Sequence, residues 1–353
     1  AARIAAGPWR AAALVLVPCA SPAIALASIE VFSLAFSELG VPMFLRVDVY
    51  PAVVFSRLGG MSFAPGEAAV FVLPLVLVAV ALLGLERRFA GRRAIAALGS
   101  PRAPREPLFA GRPWIAVVAA LAAAVSLAPL LVLALHAVTR GGVPRVGRWL
   151  GEAPWNGLRA AALAAVVMTA VALVLNHRLA RRGRAGGFVD GVATLAFILP
   201  SSILGVGIIA AWNHRATNWV YGSYGVLVVG FVARYSAVAM RTFAGAVSQV
   251  PVSLEEAART VGAGYLRRLV LIGQVARPGL LGAFVLGLVF ALRDLETAAL
   301  FYPPGGEPLT VRIFTLEANG PPAVVSALAV LHVLITFGAV GVGWLGLRMG
   351  RNT

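Results

Sequence analysis

Apolar positions in this chain come in long unbroken runs rather than in alternation with polar ones. Eight such runs stand out, at roughly 18–36, 68–85, 114–138, 157–175, 188–212, 219–240, 269–292 and 323–347. Several exceed the ~18 apolar residues that mark a membrane-spanning helix. The expectation is an all-α, polytopic membrane protein of about eight spans. One segment between the runs reads differently. Residues 253–278, SLEEAARTVGAGYLRRLVLIGQVARP, alternate charged and small residues. Ser253 with Glu256 three places on is a capping-box pattern and predicts a helix start. Leu254, Ala257, Ala258 and Val261 fall at helical spacing on one face, with Glu255 and Arg259 off it. Gly262 and Gly264 predict its end. A helix of about two turns is marginal alone in water, so this one is expected to dock against something.

Charge changes the picture by giving the runs a direction. The chain has 353 residues, 60% hydrophobic and 12% charged, with a formal charge of +16 carried entirely by arginine. With the first residues inside, nineteen arginines fall on the side holding residues 86–112, 177–186 and 241–268, and seven fall opposite. The positive-inside rule makes the first side cytoplasmic. Trp114, Trp155, Trp212, Trp219 and Trp344 lie near predicted span ends, as interfacial rings do. The basic excess is therefore a topology signal, and no nucleic acid is expected as partner. Cys19 is the only cysteine, which excludes an internal disulfide. No signal peptide is visible.

Sliding the chain on itself by 256 residues sets Ala1, Ala2 and Arg3 on Ala257, Ala258 and Arg259, Pro22 on Pro278, and Glu38 opposite Asp294. Both copies run through a small-residue helix, a span, an outer loop and another span. The expected division is 1–95 as the end of a first repeat with two spans, 96–112 as a cytoplasmic linker, and 113–353 as a second repeat with six. Residues 86–112 are rich in Arg, Pro and Gly; the alternative there is a surface helix.

Candidate chemistry is sparse. Glu38 and Asp294 either line the outer mouth of a pore or sit in the headgroup region. Glu30 and Arg234 fall within spans, where pairing between helices or facing a cavity are the two options. Asp190 lies near the Arg178–Arg184 cluster, where an interfacial ion pair is expected. Pro200, Gly205 and Gly207 break the fifth span and are pore candidates, with close helix packing as the alternative. His136, His177, His214 and His332 show no metal-ligand spacing, so no metal site is expected. No clustered acid, base or nucleophile is present, and no Gly-x-x-x-x-Gly-Lys-Ser/Thr loop, so an enzyme is not expected.

Glu256-Ala257-Ala258, a three-residue gap, Gly262, and an apolar stretch ending Arg277-Pro278 resemble the EAA loop of bacterial ABC-importer permeases. The family's Leu-Pro pair is replaced by Gly273-Gln274, which puts its local kink in question. The resemblance implies a type I ABC permease fold in the bacterial inner membrane, with a coupling helix at 252–264. Its ATPase-coupling residues would be Ser253, Glu255, Glu256, Ala257, Ala258 and Gly262, with Ala1 and Ala2 in a first loop whose glutamate would precede Ala1, the chain being a piece of a longer duplicated permease. It implies a cytoplasmic ABC ATPase dimer as partner, ATP and Mg bound there, and no cofactor on this chain. Pro303, Pro304, Gly305 and Arg312, with the run Leu309–Leu316, are similar to the outer loop of ferric-iron permeases. There they would face a periplasmic substrate-binding protein and imply iron(III) as cargo. Thiamine, polyamine, sulfate and phosphonate remain alternatives, and an ion-coupled secondary transporter is the rival of another class.

Overall fold

The computed structural model describes residue 10 and residues 12–59, 65–97, 113–179 and 183–349. Ala1, Ala2 and most of the 96–112 linker lie outside the described residues. Every regular element among the described residues is helical. A π-helical turn, Ala12–Leu16, runs directly into α1 (Val17–Phe36), followed by α2 (Gly40–Phe44), α3 (Tyr50–Gly59) and α4 (Pro65–Ala97). From residue 113 the chain contains α5 (Pro113–Thr139), α6 (Val146–Leu150), α7 (Ala153–Leu179), α8 (Gly183–Ile198), α9 (Ser201–Trp212) and α10 (Asn218–Tyr221). It continues with α11 (Tyr224–Val247), α12 (Val252–Thr260), α13 (Tyr265–Val275) and α14 (Arg277–Arg293). It ends with α15 (Leu295–Phe301), α16 (Leu309–Asn319) and α17 (Pro322–Met349).

Among the described residues five helices, namely α4, α5, α7, α11 and α17, are long and apolar enough to cross a membrane, and two bent pairs bring the number to seven. The 20-residue α1 stands in the eighth expected place. The break expected in the fifth run is one of these bent pairs, and the seventh run holds the other. The fifth run is α8 and α9, which turn by 113° at Leu199-Pro200; the seventh is α13 and α14, which turn by 80° at Ala276. Proline explains both. Pro200 holds φ near −54° with an extended ψ at the start of α9, and Pro278 sits in the first turn of α14, where its missing N–H costs nothing. The kink left in question by Gly273-Gln274 is thus present, a few residues later. A further correction concerns residues 86–112: α4 continues as helix to Ala97, so the start of this segment is a rod and not a loose connection.

A shift by 256 residues compares the helix bounds of the two stretches. It sets α2 within α15, α3 beside α16 and α4 on α17, residue for residue to within a few positions. The first copy differs at one place: α1 passes unbroken through the positions matching the α13–α14 bend.

The core lies where α11 packs on α7 and α14. Ala160, Ala161, Ala164, Ala165 and Met168 of α7 meet Leu227, Phe231 and Phe243 of α11 and Ala283, Leu288 and Ala291 of α14. Lipid offers apolar side chains nothing to escape from, so association depends on close contact, and small residues permit it. At Gly279 the approach is tight: a Cβ there would lie 2.2 Å from that of Ala246. The inner ends of α11 and α14 can meet only because that side chain is missing.

Candidate functional site

Two regions concentrate polar groups, and α11 links them. At the end carrying the arginine excess, α11 ends at Val247 and passes through Pro251 into α12. The capping-box expectation is corrected here. Pro251, extended at ψ 137°, is itself the N-cap residue, so the helix starts at Val252; Ser253 falls inside the first turn and caps nothing. The stop is as expected: Gly262 takes φ +78°, a left-handed conformation that glycine adopts without a Cβ penalty. Glu255 is also placed differently from expectation. It is buried, and Arg268 of α13 donates to it at 3.2 Å, so the acid ties α12 to α13. Glu256, Ala257 and Val261 are exposed, Val261 at 83%. Helical spacing at 257 and 261 thus presents an uncovered small-residue face flanked by charge, and Ala258 is half-buried beside it.

The second region is an ionic cluster deep in the bundle. Arg234 lies near the middle of α11, with only 7% of its side chain exposed. Its Nη1 donates to Asp294 at 3.3 Å and Glu296 at 3.1 Å, and its Nη2 to Ser37 at 3.4 Å. Asp294 follows α14 and caps α15, accepting from the Thr297 amide at 3.0 Å. Ser201, at the start of α9, donates to Glu296. Asp294 therefore sits at the level of mid-α11. Glu38 joins it: both line a cavity of about 20 Å³, room for one water, with Ser37, Arg234, Tyr235 and Glu296. The chamber brings Ser37 and Glu38, which follow α1, against residues of α11, α14 and α15 nearly 200 or more positions on.

Both intramembrane charges in question thus pair across helices, Arg234 as above and Glu30 with Arg241 at 3.4 Å. Asp190 pairs with the same Arg241, at 3.5 Å; the side chains of the 178–184 arginines lie outside the described residues. Pro200 is buried at the α8–α9 turn, and Gly205 is closely packed: a Cβ there would come within 2.7 Å of Leu300. Gly207 faces open space. On the opposite side Pro304 and Gly305 are exposed, Gly305 at φ +76°. Arg312 turns inward from this loop, donating to the Trp149 carbonyl at 2.6 Å and Glu307 at 2.9 Å, and so pins the loop to α6. Among the described residues no three His, Cys, Asp or Glu gather as metal ligands.

Long-range pairing is what the sequence concealed. Glu296, Ser37 and Arg241 were not candidates from the sequence, and the usable signal was only that Glu296 and Arg241 are charges beside apolar runs.

These helices and their buried charges define a multi-pass, all-α protein of the inner membrane. A 2-aminoethylphosphonate transport system permease protein of Salmonella typhimurium is 29% identical over 154 residues, which is 40% of this chain and 56% of the relative. Its counterpart in Salmonella choleraesuis matches equally. An ABC transporter permease protein of Sinorhizobium fredii is 26% identical over 322 residues, covering 82% of this chain and 56% of the relative. The chain spans about half the length of the curated relatives it matches. No protein-family model matches it.

Proposed function

We propose that this chain forms the translocation pathway of an ATP-driven importer, as a permease subunit of the type I ABC class. The observation that carries the reading is α12: a nine-residue helix between two membrane segments, on the arginine-rich side, with Ala257 and Val261 uncovered. Its fit is to a cleft in a cytoplasmic ATPase. ATP and Mg²⁺ belong to that partner, and this chain performs no covalent step. A periplasmic binding protein would dock over the 303–306 turn, at the exposed Pro304 and Gly305, and deliver the cargo.

The connections around α12 account for transmission. Pro251 joins it to α11, and the Glu255–Arg268 pair joins it to α13. Beyond the 80° bend, α14 runs to Asp294, which returns to α11 through Arg234. A displacement of α12 thus acts on a closed loop of α11, α13 and α14, and it moves the chamber where the repeats meet. A partner biases such an equilibrium only through contacts that differ between its states, and the uncovered face of α12 provides them.

For cargo, the relative named for 2-aminoethylphosphonate favours a phosphonate over iron(III), for which the support is the 303–316 loop alone. The buried acids of the chamber favour the rival, an ion-coupled transporter, because such carriers keep ionisable groups at mid-membrane. Uptake into proteoliposomes separates these readings. Labelled 2-aminoethylphosphonate should enter only with the ATPase, a binding protein and ATP, with iron(III) run in parallel. Uptake driven by an ion gradient with no ATPase present refutes the proposal.

A further inference from the structure

Arg241 stands near the inner end of α11, a short connection away from α12. Its one guanidinium meets three carboxylates on three other helices. Nη2 reaches Glu86 of α4 at 2.5 Å and Thr194 of α8 at 2.7 Å; Nη1 reaches Glu30 of α1 at 3.4 Å, and Nε reaches Asp190 of α8 at 3.5 Å. Next to Glu86, Arg87 donates to the Gly187 carbonyl of α8 at 2.8 Å and lies across Gly191, where any Cβ would collide with it. Glu30, Glu86 and Arg87 belong to the first repeat, and Asp190, Thr194, Gly187, Gly191 and Arg241 to the second. The cluster ties the repeats together at their cytoplasmic ends.

Two observations distinguish it from the chamber around Arg234. Exposure is graded: Glu86 is 6% exposed, Arg241 33%, and Glu30 and Asp190 48% each. Glu30 and Asp190 are thus half uncovered by the rest of the chain, so the pairs can part without leaving either acid enclosed in the bundle, which a fully buried pair does not allow. The cluster is also one-sided. The 256-residue shift puts Leu286, Val342 and Gly343 in the places of Glu30, Glu86 and Arg87, so the second repeat's own helices carry no copy of these charges.

We propose that Arg241, with Glu30, Glu86 and Asp190, is a releasable latch that holds the cytoplasmic ends of the two repeats together and opens when α12 is displaced. This rests on the reading of α12 as the ATPase-docking element. Arginine suits the role because its planar fork serves several acceptors at once, whereas a lysine ammonium acts as a point charge.

The test uses the full-length protein assembled with its ATPase in lipid nanodiscs, with Cys19→Ser and Thr194→Cys. Thr194 is 2% exposed and bonded to Arg241, so a thiol at this position reports on the latch. A water-soluble maleimide should label the thiol at position 194 several-fold faster in one of two states, nucleotide-free or trapped with ATP and vanadate. Adding Arg241→Ala should make labelling fast in both and free ATP hydrolysis from its dependence on cargo, with Arg241→Lys between. Active hydrolysis with equally slow labelling in both states, unchanged by Arg241→Ala, overturns the latch and leaves the α12 reading standing. A complex that hydrolyses no ATP overturns that reading and the latch with it.

Discussion

Removing Arg234 tests the buried cluster most severely. Its guanidinium is the cation facing Asp294, 2% exposed, and Glu296, 7% exposed. Arg234→Ala leaves two carboxylates in a nearly dry site, and breaking a buried pair from one side costs about 3–5 kcal/mol. Asp294→Asn should be far milder, because it leaves Arg234 and Glu296 paired one to one and asparagine still caps the Thr297 amide. Asp294→Ala adds the lost cap, about 1 kcal/mol. The expected order of destabilisation is Arg234→Ala, then Asp294→Ala, then Asp294→Asn. The triple variant Arg234→Ala, Asp294→Asn, Glu296→Gln should recover most of the loss, since neither acid that Arg234 paired stays charged. Tryptophan fluorescence of detergent-solubilised protein during thermal or denaturant unfolding reads the series. If Arg234→Ala falls within about 1 kcal/mol of the parent, or the triple variant is no better than the single, the pairing has been given too much weight.

Ala257→Asp or Gly262→Asp should abolish transport while the protein remains in the membrane, because one charges the uncovered face of α12 and the other strains its left-handed stop; full uptake in either variant refutes the docking role. Gly205→Val should destabilise by about 1–3 kcal/mol through its collision with Leu300, whereas Gly207→Val should change little; equal thermal midpoints would remove the packing account. Neutralising Glu38 and Asp294 together, as Gln and Asn, should alter the transport rate if the chamber lies on the cargo's path. An unaltered rate excludes it from the path.

The eight apolar runs were readable because each is longer than a buried soluble helix requires; each became a helix or a bent pair, except that the first residues of the sixth form the separate α10. The end of α12 was readable for a local reason: Gly262 is the residue that most easily takes φ +78°. Its start was not, since Ser253 and Glu256 have capping spacing but Pro251 starts the turn two residues earlier. Helical periodicity put Glu255 off the apolar face correctly, yet could not show that this side meets Arg268. Partners far apart in the chain were beyond reach altogether. Glu30 and Arg241 are separated by 211 positions, and Ser37 and Arg234 by 197. Only the fold brings them together. For Asp294 the sequence left the pore mouth and the headgroup region both open, because its partner Arg234 lies 60 positions away.

The central claim is that α12 is the contact through which a cytoplasmic ATPase moves the bundle. Its most direct test is photocrosslinking from position 257, with a benzophenone attached to Ala257→Cys in a Cys19→Ser background, in membranes containing the full system. The account predicts one dominant adduct, to an ABC ATPase, formed at a rate that changes with nucleotide. Labelling of position 257 from the periplasmic side, or crosslinking that yields no ATPase adduct while ATP-dependent uptake continues, would contradict it.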